Sequence, residues 1–159
     1  MSRGVLQGTN TIASMWERLS GVPGGKALFS FMIGRAARYT GTIGGRVEHL
    51  ETGKGVVTMR DRASVRNHLK SVHAIALMNL GELATGATVM YQVDGRGRGI
   101  LKHIGMDYIK KARGTITATC EAVVPSESGK HDLNVEGILT DQDGEIVAKV
   151  RATWRIDIT

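Results

Sequence analysis

The spacing of hydrophobic and polar positions changes several times along this chain, and each change marks an expected element. Thr11 to Leu19 reads as a helix with Asn10 as its cap, and Val22-Pro23-Gly24-Gly25 breaks it before a second apolar segment, Lys26 to Ala37. From Gly41 the period shortens. Two extended segments, about 42–50 and 54–61, are expected to form a hairpin at Glu51-Thr52-Gly53. A polar stretch, Arg62 to Lys70, then leads into SVHAIALMNLGELATGATVMYQV, Ser71 to Val93, which is apolar or small almost all the way round. A helix hydrophobic on every face belongs in the middle of a protein.

Beyond Val93 the alternation is that of strands. Ile100, Lys102, Ile104, Met106 and Tyr108 are expected on one face, and Ile116, Ala118, Cys120, Ala122 and Val124 on a face of the next strand, after a turn at Lys111-Ala112-Arg113-Gly114. Leu133, Val135, Gly137 and Leu139 follow; Asp141-Gln142-Asp143-Gly144 then turns the chain into a last strand whose inner face runs from Ile146 through Ala148, Val150, Ala152 and Trp154 to Ile156. The order predicts an α+β fold. An antiparallel sheet of about six strands must cover one apolar face, and the central helix is the only element apolar enough to do so. Residues 1–38 read as a helical preface and 39–159 as the sheet and its helix, a single domain overall.

Composition narrows the classes. The chain has 159 residues, 42% hydrophobic and 23% charged, with 21 glycines and only 4% aromatic residues. That suits an aliphatic core and supplies no aromatic platform for single-stranded nucleic acid. A lone Cys120 on an apolar strand face reads as a buried structural thiol, and the start MSRGVLQGTN has no signal-like apolar run, so the expected compartment is a reducing cytoplasm. Asn79, Glu82 and Gln92 make the long helix a poor membrane span, and the protein is read as soluble.

The net charge of +6 is uneven. Residues 95–114 carry Arg96, Arg98, Lys102, Lys110, Lys111 and Arg113 against Asp107, a net of +5, and residues 1–38 carry a further +4. Such patches suit a phosphate-rich small molecule, or else form a solvated face; no recognised motif supports nucleic acid. Ser20 to Ala27 is no P-loop, since Ser20 and Ala27 replace the first glycine and the Ser or Thr after Lys26, and no strand precedes it. His68, His73 and Glu82 have no zinc spacing, and neither Ser64 nor Ser71 sits in a nucleophile elbow. No metal site is expected.

Glu82 is the one formal charge within the central helix, and a buried carboxylate must be paired, hydrogen-bonded or kept for chemistry. Upstream of it stand Asn67, His68 and His73. The segment NHLKSVHAIALMNLGELA resembles the central-helix motif of hotdog-fold thioesterases of the phenylacetate-pathway type: Asn67, then His73 six residues later, the small Ala74, and the acid Glu82 eight residues further on. IGMDYIKKARGTITATCEAVV is similar to that family's strand and hairpin after the helix, and the strand order agrees from about residue 40. The family usually has Gly at Ala74 and often Asp at Glu82.

The resemblance implies an acyl-CoA thioesterase, with Glu82 as base or nucleophile, the Ala74 N–H as oxyanion donor, Asn67 holding water or substrate and His73 near the thioester. Coenzyme A then enters as part of the substrate, with no other cofactor. Lys110, Lys111 and Arg113 are candidates for its phosphates and His68 for a further substrate contact. His73 and Glu82, nine residues apart, stand about 180° round the helix and roughly 13.5 Å along it, so one chain does not bring them together. A two-fold homodimer, or a homotetramer built as a dimer of dimers, solves this and agrees with the family's interfacial sites. The alternatives are a non-catalytic acyl-CoA-binding hotdog protein and a hotdog 3-hydroxyacyl thioester dehydratase that pairs His68 with Glu82.

Overall fold

A computed structural model describes residues 11–159. Asn10, the expected first cap, lies outside them, and Thr11 takes that role: its hydroxyl accepts from the Ser14 N–H while Ser14 Oγ accepts from the Thr11 N–H. This capping box opens α1 (Ile12–Leu19), and the Pro-Gly break separates it from α2 (Gly25–Ala36). Trp16 and Phe29 join the two helices in an edge-to-face contact, ring centroids 5.2 Å apart.

The sheet has six strands in the order β1-β2-β4-β5-β6-β3, every neighbouring pair antiparallel. They are β1 (Arg46–Glu51), β2 (Lys54–Met59), β3 (Gly97–Tyr108), β4 (Ile116–Glu121), β5 (Gly129–Thr140) and β6 (Ile146–Ile158). Through the curl runs α3 (Ala74–Val93), in contact with every strand. This is the hotdog fold with a helical preface.

Glycine sets how closely α3 lies on the sheet. A Cβ at Gly81 would stand 2.9 Å from Val150 of β6, and one at Gly86 would stand 3.0 Å from the Trp154 ring. Thr85 on α3 is turned inward and satisfied: its Oγ1 donates to the Gly81 carbonyl and accepts from the Trp154 indole. Cys120 is buried on the inner face of β4, where burial pushes its thiol up to about 11.

The two sheet edges differ. At β1, Ser30 Oγ on α2 accepts from the Val47 N–H and Lys26 Nζ donates to the Glu48 carbonyl, so α2 masks an open edge. No such cover lies along the outer edge of β3 among the described residues.

Four sequence expectations shift. Thr40–Ile43 forms a 3-10 turn and Gly44 is left-handed, so β1 begins only at Arg46. α3 begins at Ala74, because the preceding loop is held by Val72 N–H to the Ala112 carbonyl and His73 N–H to the Val65 carbonyl. A bulge between Leu101 and His103 inverts the alternation of β3: Leu101 packs inward before it, Ile104 and Met106 after it, and Ile100 is left 66% exposed. An irregularity at Leu139/Thr140 likewise buries Val147 and turns Ile146 outward.

Candidate active site

The loop before α3 is built around Asn67. Its side-chain oxygen accepts from the Leu69 N–H (2.9 Å), the Ser71 N–H (3.3 Å) and the Ser71 hydroxyl (3.2 Å), which closes the turn on which Lys70 takes a positive φ. With that oxygen spent on its own loop, only the Asn67 amide NH2 remains to meet another molecule.

His73 is the N-cap of α3. Its Nδ1 accepts from the Ile75 N–H at 3.0 Å, so the ring proton sits on Nε2 and that atom is the donor left over. Ala74, the first helical residue, donates its N–H to no acceptor among the described residues. This is an unsatisfied donor at the positive end of a 20-residue helix whose dipole favours negative charge beside it.

Asn67, Ala74, Lys110 and Lys111 line one small cleft of about 240 Å³, together with Ser71 and Tyr108. Tyr108 was not among the candidates, yet its hydroxyl donates to the Ala74 carbonyl at 2.8 Å and ties the end of β3 to the start of α3. Desolvation raises its phenol above the usual tyrosine value. The signal in the sequence was an aromatic with a polar tip closing an edge strand. His68 and Arg113 are exposed and not part of this cleft.

Glu82 stands apart from the cleft, nine residues into the helix side and half-buried. Among the described residues no hydrogen bond or ion pair reaches its carboxylate, and burial alone raises its pKa above 4.5. Ile75, Met78 and Glu82 follow one another at helical spacing on a face that the chain leaves open, Ile75 being 51% exposed. Close by on the helix, Asn79 is buried, its amide donating to the Tyr39 carbonyl at 3.3 Å, while its Oδ1 has no donor among the described residues. Such an oxygen is an open acceptor one helical turn from Glu82.

Half of the basic patch at residues 95–114 is neutralised by acids of β5, β6 and the turn between them. Arg98 pairs with Asp157, Lys102 with Asp132, and Lys110 with both Asp141 and Glu145. Asp132 also takes both arms of Arg155, and these hydrogen bonds hold its carboxyl well below the usual range. Lys111 and Arg113 have no ion pair among the described residues.

A family profile described as "Domain of unknown function (DUF4442)" matches residues 25–156. A structural-genomics protein is 29% identical, with 93% of this chain and 99% of that chain covered and a TM-score of 0.79. A protein of unknown function from Pseudomonas aeruginosa, called a probable thioesterase, is 27% identical over 87% of this chain and 97% of that chain, with a TM-score of 0.72. A mutant thioesterase enzyme from Staphylococcus aureus, 21% identical with 76% and 98% covered and a TM-score of 0.67, bears on the fold alone. No curated protein matches the chain. Among the described residues no helix is long and apolar enough to cross a membrane, and no three metal-binding side chains cluster.

Proposed function

Since the chain belongs to the DUF4442 family, and a relative in that fold is called a probable thioesterase, we propose that it hydrolyses acyl-CoA thioesters to the free acid and coenzyme A. The observation that carries this reading is the unpartnered Ala74 N–H at the start of α3, lining a cleft with Asn67, on the same helix as an unpartnered, desolvated Glu82. Acyl transfer needs those two things: a base or nucleophile, and a donor waiting where negative charge develops.

The thioester carbonyl oxygen accepts from the Ala74 N–H, with the Asn67 amide and His73 Nε2–H as neighbouring donors. Glu82 takes a proton from water as the water oxygen bonds to the carbonyl carbon, and the developing oxyanion rests against the helix N-terminus. The tetrahedral intermediate then expels coenzyme A as its thiolate, which takes the proton held by Glu82, and the free acid loses its remaining proton to solvent as it leaves as carboxylate. A carboxylate with raised pKa is a better base near neutral pH than an exposed one. Coenzyme A belongs to the substrate, and no other cofactor enters.

The two groups come from different subunits of a dimer. Along one helix Ala74 and Glu82 are eight residues apart, roughly 12 Å along the axis and about 80° round it, too far for one water to span. The uncovered edge of β3 and the open Ile75–Met78–Glu82 face support pairing of two copies about a two-fold axis, each lending its acid to the other's helix N-terminus. Lys111 and Arg113 take the coenzyme phosphates.

Steady-state hydrolysis of an acyl-CoA panel, with Glu82→Gln as the paired variant, tests the reading. Turnover that this substitution abolishes supports it. Tight acyl-CoA binding without turnover, or loss of water from a 3-hydroxyacyl thioester, replaces it with a sensor or a dehydratase.

A further inference from the structure

A concavity larger than the cleft at Ala74 lies elsewhere on the described chain. It is an open groove of about 1070 Å³ between the second half of α2, the turn at Thr40–Ile43 and the ends of β1 and β2. Five arginines line it: Arg35 from α2, Arg38 from the link after it, Arg46 from β1, and Arg60 and Arg62 following β2. Against them stands one acid, Glu48, which pairs with Arg46. Arg62 is fixed by a hydrogen bond to the Thr42 carbonyl, which leaves its charge uncompensated. Arg35, Arg38 and Arg60 have no ion pair or side-chain hydrogen bond among the described residues. Arg35 and Arg38 come from one stretch of chain and Arg60 from another, and they share one groove.

The lining between the arginines mixes apolar Phe31, Ile33 and Leu83 with the hydroxyls of Thr40, Thr42 and Thr58. α2 is hydrophobic on both sides, yet its outer side is open, with Leu28, Phe31 and Met32 at 50%, 65% and 41% exposure. An unpaired aliphatic surface beside unpaired guanidinium groups has a definite complement. A nucleotide base would find only the Phe31 ring to stack on, and a bare inorganic ion would leave the apolar lining wet.

We propose that this groove binds an amphiphilic anion, a carboxylate or phosphate headgroup held by Arg35, Arg38 and Arg60 with an alkyl chain lying along Phe31 and Ile33 toward Leu83. Guanidinium forks match both headgroups. The charges of Lys102 and Lys110 are consumed by acids, whereas these three are available. The site stands apart from the hydrolytic reading, since it needs neither Glu82 nor the Ala74 N–H.

Calorimetric titration of the full chain with decanoate, decyl phosphate and 1-decanol, all below micellar concentration, tests it. Both anions are expected to bind, the alcohol at least tenfold more weakly. Arg35→Ala, Arg38→Ala and Arg60→Ala combined should weaken both anions at least tenfold while the thermal melting curve stays in place. Stronger binding of decyl phosphate assigns the headgroup to a phospholipid type, and stronger binding of decanoate to a free fatty acid. Equal affinity for the alcohol, absence of binding by both anions, or undiminished affinity in the triple variant overturns the proposal; the last result places the anion elsewhere, as product in the Ala74 cleft.

Discussion

The Tyr108 hydroxyl, at the end of the edge strand β3, donates at 2.8 Å to the carbonyl oxygen of Ala74, the first residue of α3. That bond fixes the Ala74–Ile75 peptide against the sheet, while the Leu77 N–H, donating to the His73 carbonyl at 3.1 Å, holds the preceding peptide and with it the direction of the unpartnered Ala74 N–H. The direction of one N–H is what an oxyanion donor requires.

Replacing Ala74 by Pro removes that N–H and little else. Proline is tolerated at the first helical position, and His73 already holds the extended backbone (φ −64, ψ 140) that a residue before proline prefers. Ala74→Pro should therefore keep the melting temperature within about 2 °C while lowering kcat by about 10²- to 10³-fold, the usual cost of one oxyanion-hole donor. Calorimetric melting and acyl-CoA turnover measured on the same sample check both halves.

Glu82 predicts opposite pH trends for stability and rate. Its pKa is raised by burial, so the folded protein holds the proton more tightly than the unfolded chain, and stability falls as pH rises from 4.5 through the folded value, then levels off. Glu82→Gln removes this dependence, so the variant gains melting temperature relative to the parent as pH increases across that window. The parent's kcat/KM should rise with pH over the same window, with an apparent pKa above 4.5.

Gly81 measures how tightly the helix is seated. A Cβ there meets Val150 Cβ and Cγ2 at 2.9 Å and Met106 Cε at 3.1 Å. Gly81→Ala should destabilise by about 1–3 kcal/mol through overpacking, read from urea unfolding at constant m-value.

Ion pairing separates the three basic residues assigned to the coenzyme. Lys110 is held by Asp141 and Glu145, so Lys110→Ala should leave KM for acyl-CoA near the parent value and lower the melting temperature by no more than about 2 °C. Lys111→Ala with Arg113→Ala should raise KM several-fold at low salt, an effect that fades at high ionic strength. Michaelis curves at two salt concentrations distinguish these outcomes.

Local patterns were legible in the sequence wherever the cause was local. The all-apolar run before Val93, the Pro-Gly break after Leu19 and the alternation of Ala148, Val150, Ala152 and Trp154 carry their structure with them. Expectations shifted where a distant partner decides. The bulge beside Lys102 depends on pairing with β6, fifty residues on, and moves Ile100 to the outside. The charge excess of residues 95–114 shrinks to Arg96, Lys111 and Arg113 once Asp132, Asp141, Glu145 and Asp157 fold back upon Arg98, Lys102 and Lys110. The arginine groove was equally hidden, because Arg35, Arg38 and Arg60 meet only when α2 covers the edge of β1. At the candidate site the residue types were visible, but not that Asn67 spends its oxygen on its own loop or that Tyr108 tethers Ala74.

The claim that one chain's acid serves the other chain's helix is tested most directly by mixing two inactive variants. Glu82→Gln and Ala74→Pro are each expected to be nearly inactive as homodimers. In a mixed dimer purified through two different tags, the intact Glu82 of one chain faces the intact Ala74 of the other, rebuilding one of two sites. Acyl-CoA turnover of the mixed dimer at about half the parental rate is the predicted result. A mixed dimer as inactive as either parent variant would contradict the shared site.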